Sequence, residues 1–367
     1  MLHGVRILDL SRVLAGPLCG MMLGDLGADV IKVERPGSGD EPRGWGPPFD
    51  DRGESAYFLS CNRNKLGVAL SLDEPADVAV LRELIRGADV VLDNFKQGTL
   101  EKRGLDPATF LIAQPRLIWC TITGFGPGSD RPGYDFVVQA ECGWMSVTGE
   151  VEGAPMKTGI ALADVLAGKD ATIAILGALA ARGLGGTRTA EQRRLWISLA
   201  HTATAALINV AQNAMVTGKG ARRWGNAHPN LVPYQLFAAA DRGLIIAVGN
   251  DGQWQACCRA LELPEAGADP RFLTNAVRLE HREALVALLS ARVRGAAAAV
   301  WQERLDREGV PCGLIRSVTE ALEGVDASAL WGVSPSVPGT VRYAPPLLDE
   351  HGTEIRARGW RAFGGAA

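Results

Sequence analysis

Asp164 is the residue of this sequence best placed to do chemistry. The glycine-punctuated stretch PGYDFVVQAECGWMSVTGEVEGAPMKTGIALAD leads up to it, and an apolar, alanine-rich helical run follows from Val165 to Arg182. Its carboxylate is therefore expected at a helix N-terminus, where free N–H groups and the positive end of the dipole favour the ionised form. A permanently ionised, poorly hydrated carboxylate can attack an activated acyl group such as a thioester without a base to deprotonate it. The local alternative is that Asp164 only caps the helix; Asp is among the commonest N-caps, and on these residues alone capping is the simpler reading.

Two other places hold chemistry-bearing residues. The run Gly249-Asn250-Asp251-Gly252-Gln253-Trp254 follows the strand-like LIIAV. Glycine there permits close backbone approach, and backbone N–H groups could meet a developing oxyanion. His228, in GNAHPN, lies in a turn-rich segment where it could face a substrate carboxylate, and a turn role explains it equally well. No metal site is expected: the seven cysteines, with Cys257 and Cys258 adjacent, form no CxxC pair and no ligand spacing with the histidines. They read as reduced thiols.

The elements that must position Asp164 follow from periodicity. Apolar strands are predicted at Val5–Leu10, Asp29–Glu34, Val90–Asn94 and Leu117–Ile122, and helices opened by proline at Pro17–Leu26, Pro75–Arg86 and Pro107–Ala113. That alternation is the signature of a wound α/β sheet, here a Rossmann-like large domain. The turn after the first strand reads SRVLAGPLCG and lacks G-x-G-x-x-G, which argues against a dinucleotide-dependent oxidoreductase. Beyond the Asp164 helix come a strand at Trp196–Leu199 and one long helix, His201–Val216. The expected division is a large domain over 1–200, a connection over 201–233, a smaller α+β domain over 234–316 with a β-hairpin, and a proline-containing tail over 317–367.

A formal net charge of −3 with no sustained basic face excludes nucleic acid and membrane surfaces as natural partners. No long apolar h-region opens the chain, and its most apolar helix carries Lys169 and Asp170. A soluble, cytoplasmic protein acting on small molecules is the expectation.

The opening GVRILDLSRVLAGPLCGMMLGDLGADVIKVERPGSGD resembles the N-terminus of the class III coenzyme A transferases, the family of formyl-CoA transferase and carnitine CoA-transferase. The likeness continues through DNFKQGTLEKRGL, PGYDFVVQA, the Asp164 helix and the GNDGQW loop, in the family's order. It implies that Asp164 is the nucleophile of a CoA transfer through an aspartyl anhydride and an aspartyl-CoA thioester, with no cofactor beyond CoA itself. Leu14, Ala15, Arg35, Leu72, Asn94, Phe95, Lys96 and Lys102 then match CoA contacts, together with Gly133, Tyr134 and Asp135. Lys102 stands where an arginine is common. Gly249, Asn250, Asp251, Gly252 and Gln253 match a loop that covers the site, with His228 on the substrate side. The substrates implied are a small acyl-CoA, with succinyl-CoA or another dicarboxylic donor as the family habit, and a carboxylic acid acceptor. The assembly implied is a homodimer whose chains thread each other like linked rings.

The α-methylacyl-CoA racemases share that scaffold but carry a His-Asp dipeptide where this chain has Tyr134-Asp135. Without the histidine, proton abstraction lacks one of its two carriers. A non-catalytic CoA-binding protein is the other alternative. One departure from the family pattern is Trp196, in QRRLWISL, which stands where relatives carry an acid.

Overall fold

The structure is a computed structural model that describes residues 1–185 and 189–364. The chain divides into two compact units, Met1–Trp144 with Lys157–Gly218 and Gly324–Ala367, and Met145–Met156 with Lys219–Glu323.

The first unit is built on a six-stranded sheet of β1 (Arg6–Asp9), β2 (Asp29–Glu34), β3 (Leu66–Ala69), β4 (Val90–Asp93), β5 (Ile118–Thr123) and β6 (Arg194–Ser198), in the order β3-β2-β1-β4-β5-β6. Every pairing is parallel. The fold is thus mixed α/β around a central parallel sheet. Its central strands are largely apolar because both faces are covered, though β2 carries the buried Lys32 in mid-strand. On one face the helices Ala15–Asp25 and Leu162–Gly183 pack over Ile7, Val30, Leu92 and Cys120. On the other, the helices Pro75–Gly87 and Pro107–Ala113 cover Leu8, Ile31, Val91 and Trp119.

The Leu162–Gly183 helix approaches the opening helix without intervening side chains. Ala163, Ala167 and Ala171 are fully buried, and a Cβ on Gly168 would stand 2.6 Å from the carbonyl oxygen of Ala15. The alanine-rich composition is therefore a close-approach seam.

The tail returns to this unit. Arg63 donates to the carbonyls of Trp331 and Val333, at 2.9 and 2.6 Å, and the Trp360 indole donates to the Leu84 carbonyl at 3.0 Å.

The second unit is a three-stranded antiparallel sheet, β7 (Tyr234–Ala238), β8 (Gly243–Ala247) and β9 (Cys312–Leu314), in that order. Helices pack on it around Trp254, Trp301, Phe237 and Leu244.

In four places the structure departs from the sequence pattern. β3 is an added strand, because LGVA is only four residues long and sits between polar segments. The expected helix His201–Val216 is two, Leu199–Ala205 and Ile208–Thr217, broken where Ile208 takes φ +38. No glycine or proline marks that break. The boundaries at 200, 233 and 316 also move: both of those helices belong to the first unit, while Met145–Met156 leaves it for the second. Finally, the expected β-hairpin gains a third strand, β9, too short to show a period. Among the described residues no single helix is long and apolar enough to cross a membrane.

The seam gives a paired test by urea unfolding. A methyl group added at Gly177, in the same helix, would meet nothing within 4 Å, so Gly177→Ala should stabilise by up to about 1 kcal/mol. Gly168→Ala should instead destabilise by about 1 to 3 kcal/mol, because the new methyl meets backbone that cannot yield.

Candidate active site

The site is assembled at the C-terminal ends of the parallel strands. After β1 the chain turns through Ser11-Arg12-Val13, and this turn is fixed by buried charge. The Asp9 carboxylate, fully buried, pairs with the buried Lys65 ammonium at 2.9 Å and accepts the Ser11 N–H at 3.0 Å. Lys65 also donates to the Pro17 carbonyl at 2.8 Å and to Asn62 Oδ1 at 2.9 Å. Burial alone would raise the Asp9 pKa, but Lys65, Lys32 and Ser11 together hold it below the usual carboxylate value.

The turn after β4 is tied to the first. Asn94 Oδ1 accepts the Arg12 N–H at 3.0 Å and Asn94 Nδ2 donates to the Arg12 carbonyl at 2.8 Å. Asp93, also buried, accepts the Phe95 N–H at 3.0 Å, the Trp119 indole N–H at 2.6 Å and the Thr121 hydroxyl at 2.7 Å.

Two cavities open beside these turns and share Arg12, Phe95 and Lys96. One, of about 260 Å³, is lined by Leu14, Ala15, Asn94, Gly133, Tyr134 and Asp164, with Trp196 and Arg131 also on its wall. The other, of about 450 Å³, holds Arg35, Leu72 and Arg103. Most of the residues picked out from sequence therefore share one groove of the first unit.

Asp164 is the third residue of its helix, not the cap; the N-cap position is Ala161. The capping is done by Asp135, whose Oδ1 accepts the N–H groups of Ala163 at 2.7 Å and Asp164 at 3.3 Å. Gln139, fully buried, donates to Asp135 Oδ2 at 2.5 Å and accepts the Thr158 N–H at 2.8 Å. Asp135 is brought here by the loop before it: a Cβ on Gly133 would lie 2.3 Å from the Gly124 Cα, so the two ends of the loop touch.

Among the described residues none donates a hydrogen bond to the Asp164 carboxylate. Burial, and then the Asp135 charge, push its pKa up to about 7. The expectation of a permanently ionised group is thereby corrected: desolvation and a neighbouring acid outweigh the helix dipole. The half-buried group is a weakly hydrated carboxylate poised between its two forms near neutrality.

Other placements differ from expectation. Lys102 is exposed and lines neither cavity; its neighbour Arg103 does, paired with Asp73 at 2.8 Å. Asp135 is absent from both linings and serves the helix instead. The amide of Asn94 is spent on Arg12, which leaves it a structural part of the wall.

In the second unit, Asn250 caps the following helix through the Gln253 N–H at 2.9 Å, and Gln253 accepts the Gly249 N–H at 2.8 Å. Asp251 pairs with Arg278 at 2.9 Å, and Gly252 lies within that helix with no left-handed φ. His228 accepts the Asn230 N–H at 3.0 Å and packs on Tyr234 with ring centroids 5.1 Å apart, which accounts for it as a turn residue. Burial and the Arg282 charge hold its pKa below the ordinary value.

Sequence reasoning missed Asp9, Lys65, Asp93 and Gln139. Only the i, i+4 spacing of Asp135 and Gln139 on an amphipathic stretch offered a local signal.

Residues 2–353 match the model of CoA-transferase family III. The chain is 37% identical to a succinate–glutarate CoA-transferase of Agrobacterium fabrum, over 97% of this chain and 95% of that one. It is 40% identical to the succinyl-CoA:glutarate CoA-transferase of Mus musculus, over 96% of this chain and 85% of that one. The crystal structure of a CaiB/BaiF family protein from Brucella suis superposes with a TM-score of 0.84 at 38% identity, covering 97% and 98% of the two chains. With its parallel sheet, its groove and these relatives, the chain belongs to CoA-transferase family III.

Proposed function

We propose that this enzyme moves CoA from succinyl-CoA to a second dicarboxylic acid, with Asp164 as nucleophile. The observation that carries the reading is a carboxylate with no hydrogen-bond donor among the described residues, lining a cavity that shares Arg12, Phe95 and Lys96 with a larger one holding Arg35 and Arg103. The names of relatives, which include a succinyl-CoA:mesaconate CoA-transferase of Haloarcula marismortui at 33% identity, support the substrate class.

In this reading the ionised Asp164 attacks the thioester carbonyl, the C–S bond breaks, and CoA thiolate leaves a mixed succinyl–aspartyl anhydride. The thiolate then attacks the aspartyl carbonyl, which releases succinate and leaves an aspartyl-CoA thioester. The acceptor carboxylate attacks that thioester to form a new anhydride, and CoA thiolate takes the new acyl group, which regenerates Asp164. Each step exchanges one activated carboxyl derivative for another. Arg35 and Arg103 in the larger cavity suit the phosphates of CoA, and Arg103 replaces Lys102 in that assignment. Tyr134, 61% exposed and lining the same cavity as Asp164, supplies no proton carrier of the kind a racemase needs.

Homodimerisation through threaded chains belongs to the same proposal. It is supported by the Ile208–Thr217 helix, which has no buried residue and leaves Ile208, Met215 and Val216 about 70% exposed. All seven cysteines are free thiols, which fits a reducing cytoplasm.

Asp164→Ala should lower transfer between succinyl-CoA and glutarate by about 10³-fold or more while the circular dichroism stays unchanged. Hydroxylamine added during turnover should label Asp164 of the unmodified enzyme; labelling elsewhere, or turnover by the variant, would remove Asp164 from this role.

The pKa near 7 sets the pH dependence. Only the ionised form attacks, so kcat/KM should fall as pH drops below about 7. Asp135→Asn keeps the capping oxygen but removes the like charge, which favours the Asp164 carboxylate. The acid limb of the profile should therefore move to lower pH, and a fixed or rising limb would count against the coupling.

Sedimentation should show a dimer that persists on dilution to nanomolar protein, since threaded chains separate only by unfolding. A monomer at low concentration would refute the threading.

A further inference from the structure

The turn after β1 contains one backbone conformation that its residue type resists. Val13 has φ +74, a left-handed value that β-branched side chains rarely adopt. Such a residue persists only where its surroundings over-determine it. Asn94 fixes the preceding Arg12 on both its N–H and its carbonyl, and a buried carboxylate holds Val13 itself: the Val13 N–H donates to Asp40 Oδ1 at 3.0 Å and to Oδ2 at 3.3 Å. Asp40 is 2% exposed and is itself held at both ends. Its own N–H donates to Glu34 Oε2 at 2.9 Å, and its carboxylate pairs with Lys32, fully buried, at 2.9 Å. Lys32 Nζ also donates to the Ser11 carbonyl at 3.1 Å, two residues before Val13.

Arg12, Val13, Leu14 and Ala15 all stand on the wall of the cavity that Asp164 lines. Leu14 is the N-cap of the opening helix and Ala15 its first residue, and both line the cavity that holds Asp164. The Ala15 carbonyl also abuts Gly168, one helical turn beyond Asp164. The path of the backbone at Val13 thus fixes where the Leu14–Ala15 wall stands against the Asp164 helix.

We propose that Asp40 is a positioning residue for the acyl transfer, acting by clamping the Val13 N–H so that the left-handed turn keeps the Leu14–Ala15 backbone in register with Asp164. The proposal rests on Asp164 as nucleophile. Turnover and Asp164 labelling of the unmodified enzyme test that foundation, and its failure would take this inference with it. Differences among the variants below test the clamp alone.

Because Asp40→Asn by itself would strand the buried Lys32 charge, the clean comparison is between two charge-neutral pairs. Lys32→Met with Asp40→Asn keeps an oxygen able to accept from Val13; Lys32→Met with Asp40→Leu does not. The second pair should have kcat lower than the first on the order of tenfold or more, with KM for succinyl-CoA changed by less than about threefold, as expected when reacting groups are misplaced without loss of ground-state binding. Adding Val13→Gly to the second pair should recover most of that loss, since glycine takes a positive φ freely. Equal kcat in the two pairs, or no recovery with glycine, would overturn the proposal. Should neither pair fold, the single variants Val13→Ala and Val13→Gly decide. Both leave the ion pair intact, and the glycine variant should melt higher and turn over faster than the alanine variant, the reverse of the usual order.

Discussion

The site depends on buried charge beneath the ends of β1 and β2. Asp9 with Lys65, and Lys32 with Asp40, are two ion pairs with essentially no exposed surface. Ion pairs so deep add little net stability, because desolvation costs about as much as the attraction returns. Their contribution is geometry. Each ammonium gives further hydrogen bonds to a different segment: Lys65 to the opening helix and to Asn62, Lys32 to the turn itself. Three stretches of chain distant in sequence must therefore meet in one arrangement, since any other leaves a charge in the interior without a partner. The apolar core of the sheet would accept many small shifts that this network forbids.

The same logic, with opposite sign, governs Asp164. Asp135 stabilises the helix by taking two of its orphan N–H groups, and in doing so it brings a negative charge beside the residue at the third position. A neutral cap would have relieved the helix equally and left Asp164 more acidic. The Asp164 carboxylate itself is left with no hydrogen-bond donor among the described residues.

Much of this is legible in the chain. Strands β1, β2, β4 and β5 announce themselves as apolar runs, and the groove residues Leu14, Ala15, Phe95, Lys96 and Asp164 all lie in the motifs that carry the family resemblance. Illegible features are of one kind: they depend on partners remote in sequence. Asp135 reads as part of a binding segment until the helix start 28 positions later is folded against it. Lys102 and Arg103 are adjacent, and only the turn that carries them decides which faces inward. Lys32 and Lys65 look like ordinary surface lysines, since nothing local in a strand or a loop reports that a carboxylate will be buried beside it. The break at Ile208 is illegible too: no glycine or proline marks it, and the helix that follows has no buried residue.

The return of the tail bears on the order in which the protein can be made. Arg63 and the Pro75–Gly87 helix find their last partners, the Trp331 and Val333 carbonyls and the Trp360 indole, only near the end of the chain. During synthesis the second unit, whose main segment ends at Glu323, is complete while the first still waits for its closing residues. A ribosome-bound chain thus carries a finished small unit and an unfinished large one, with one side of the sheet's helical cover unclosed.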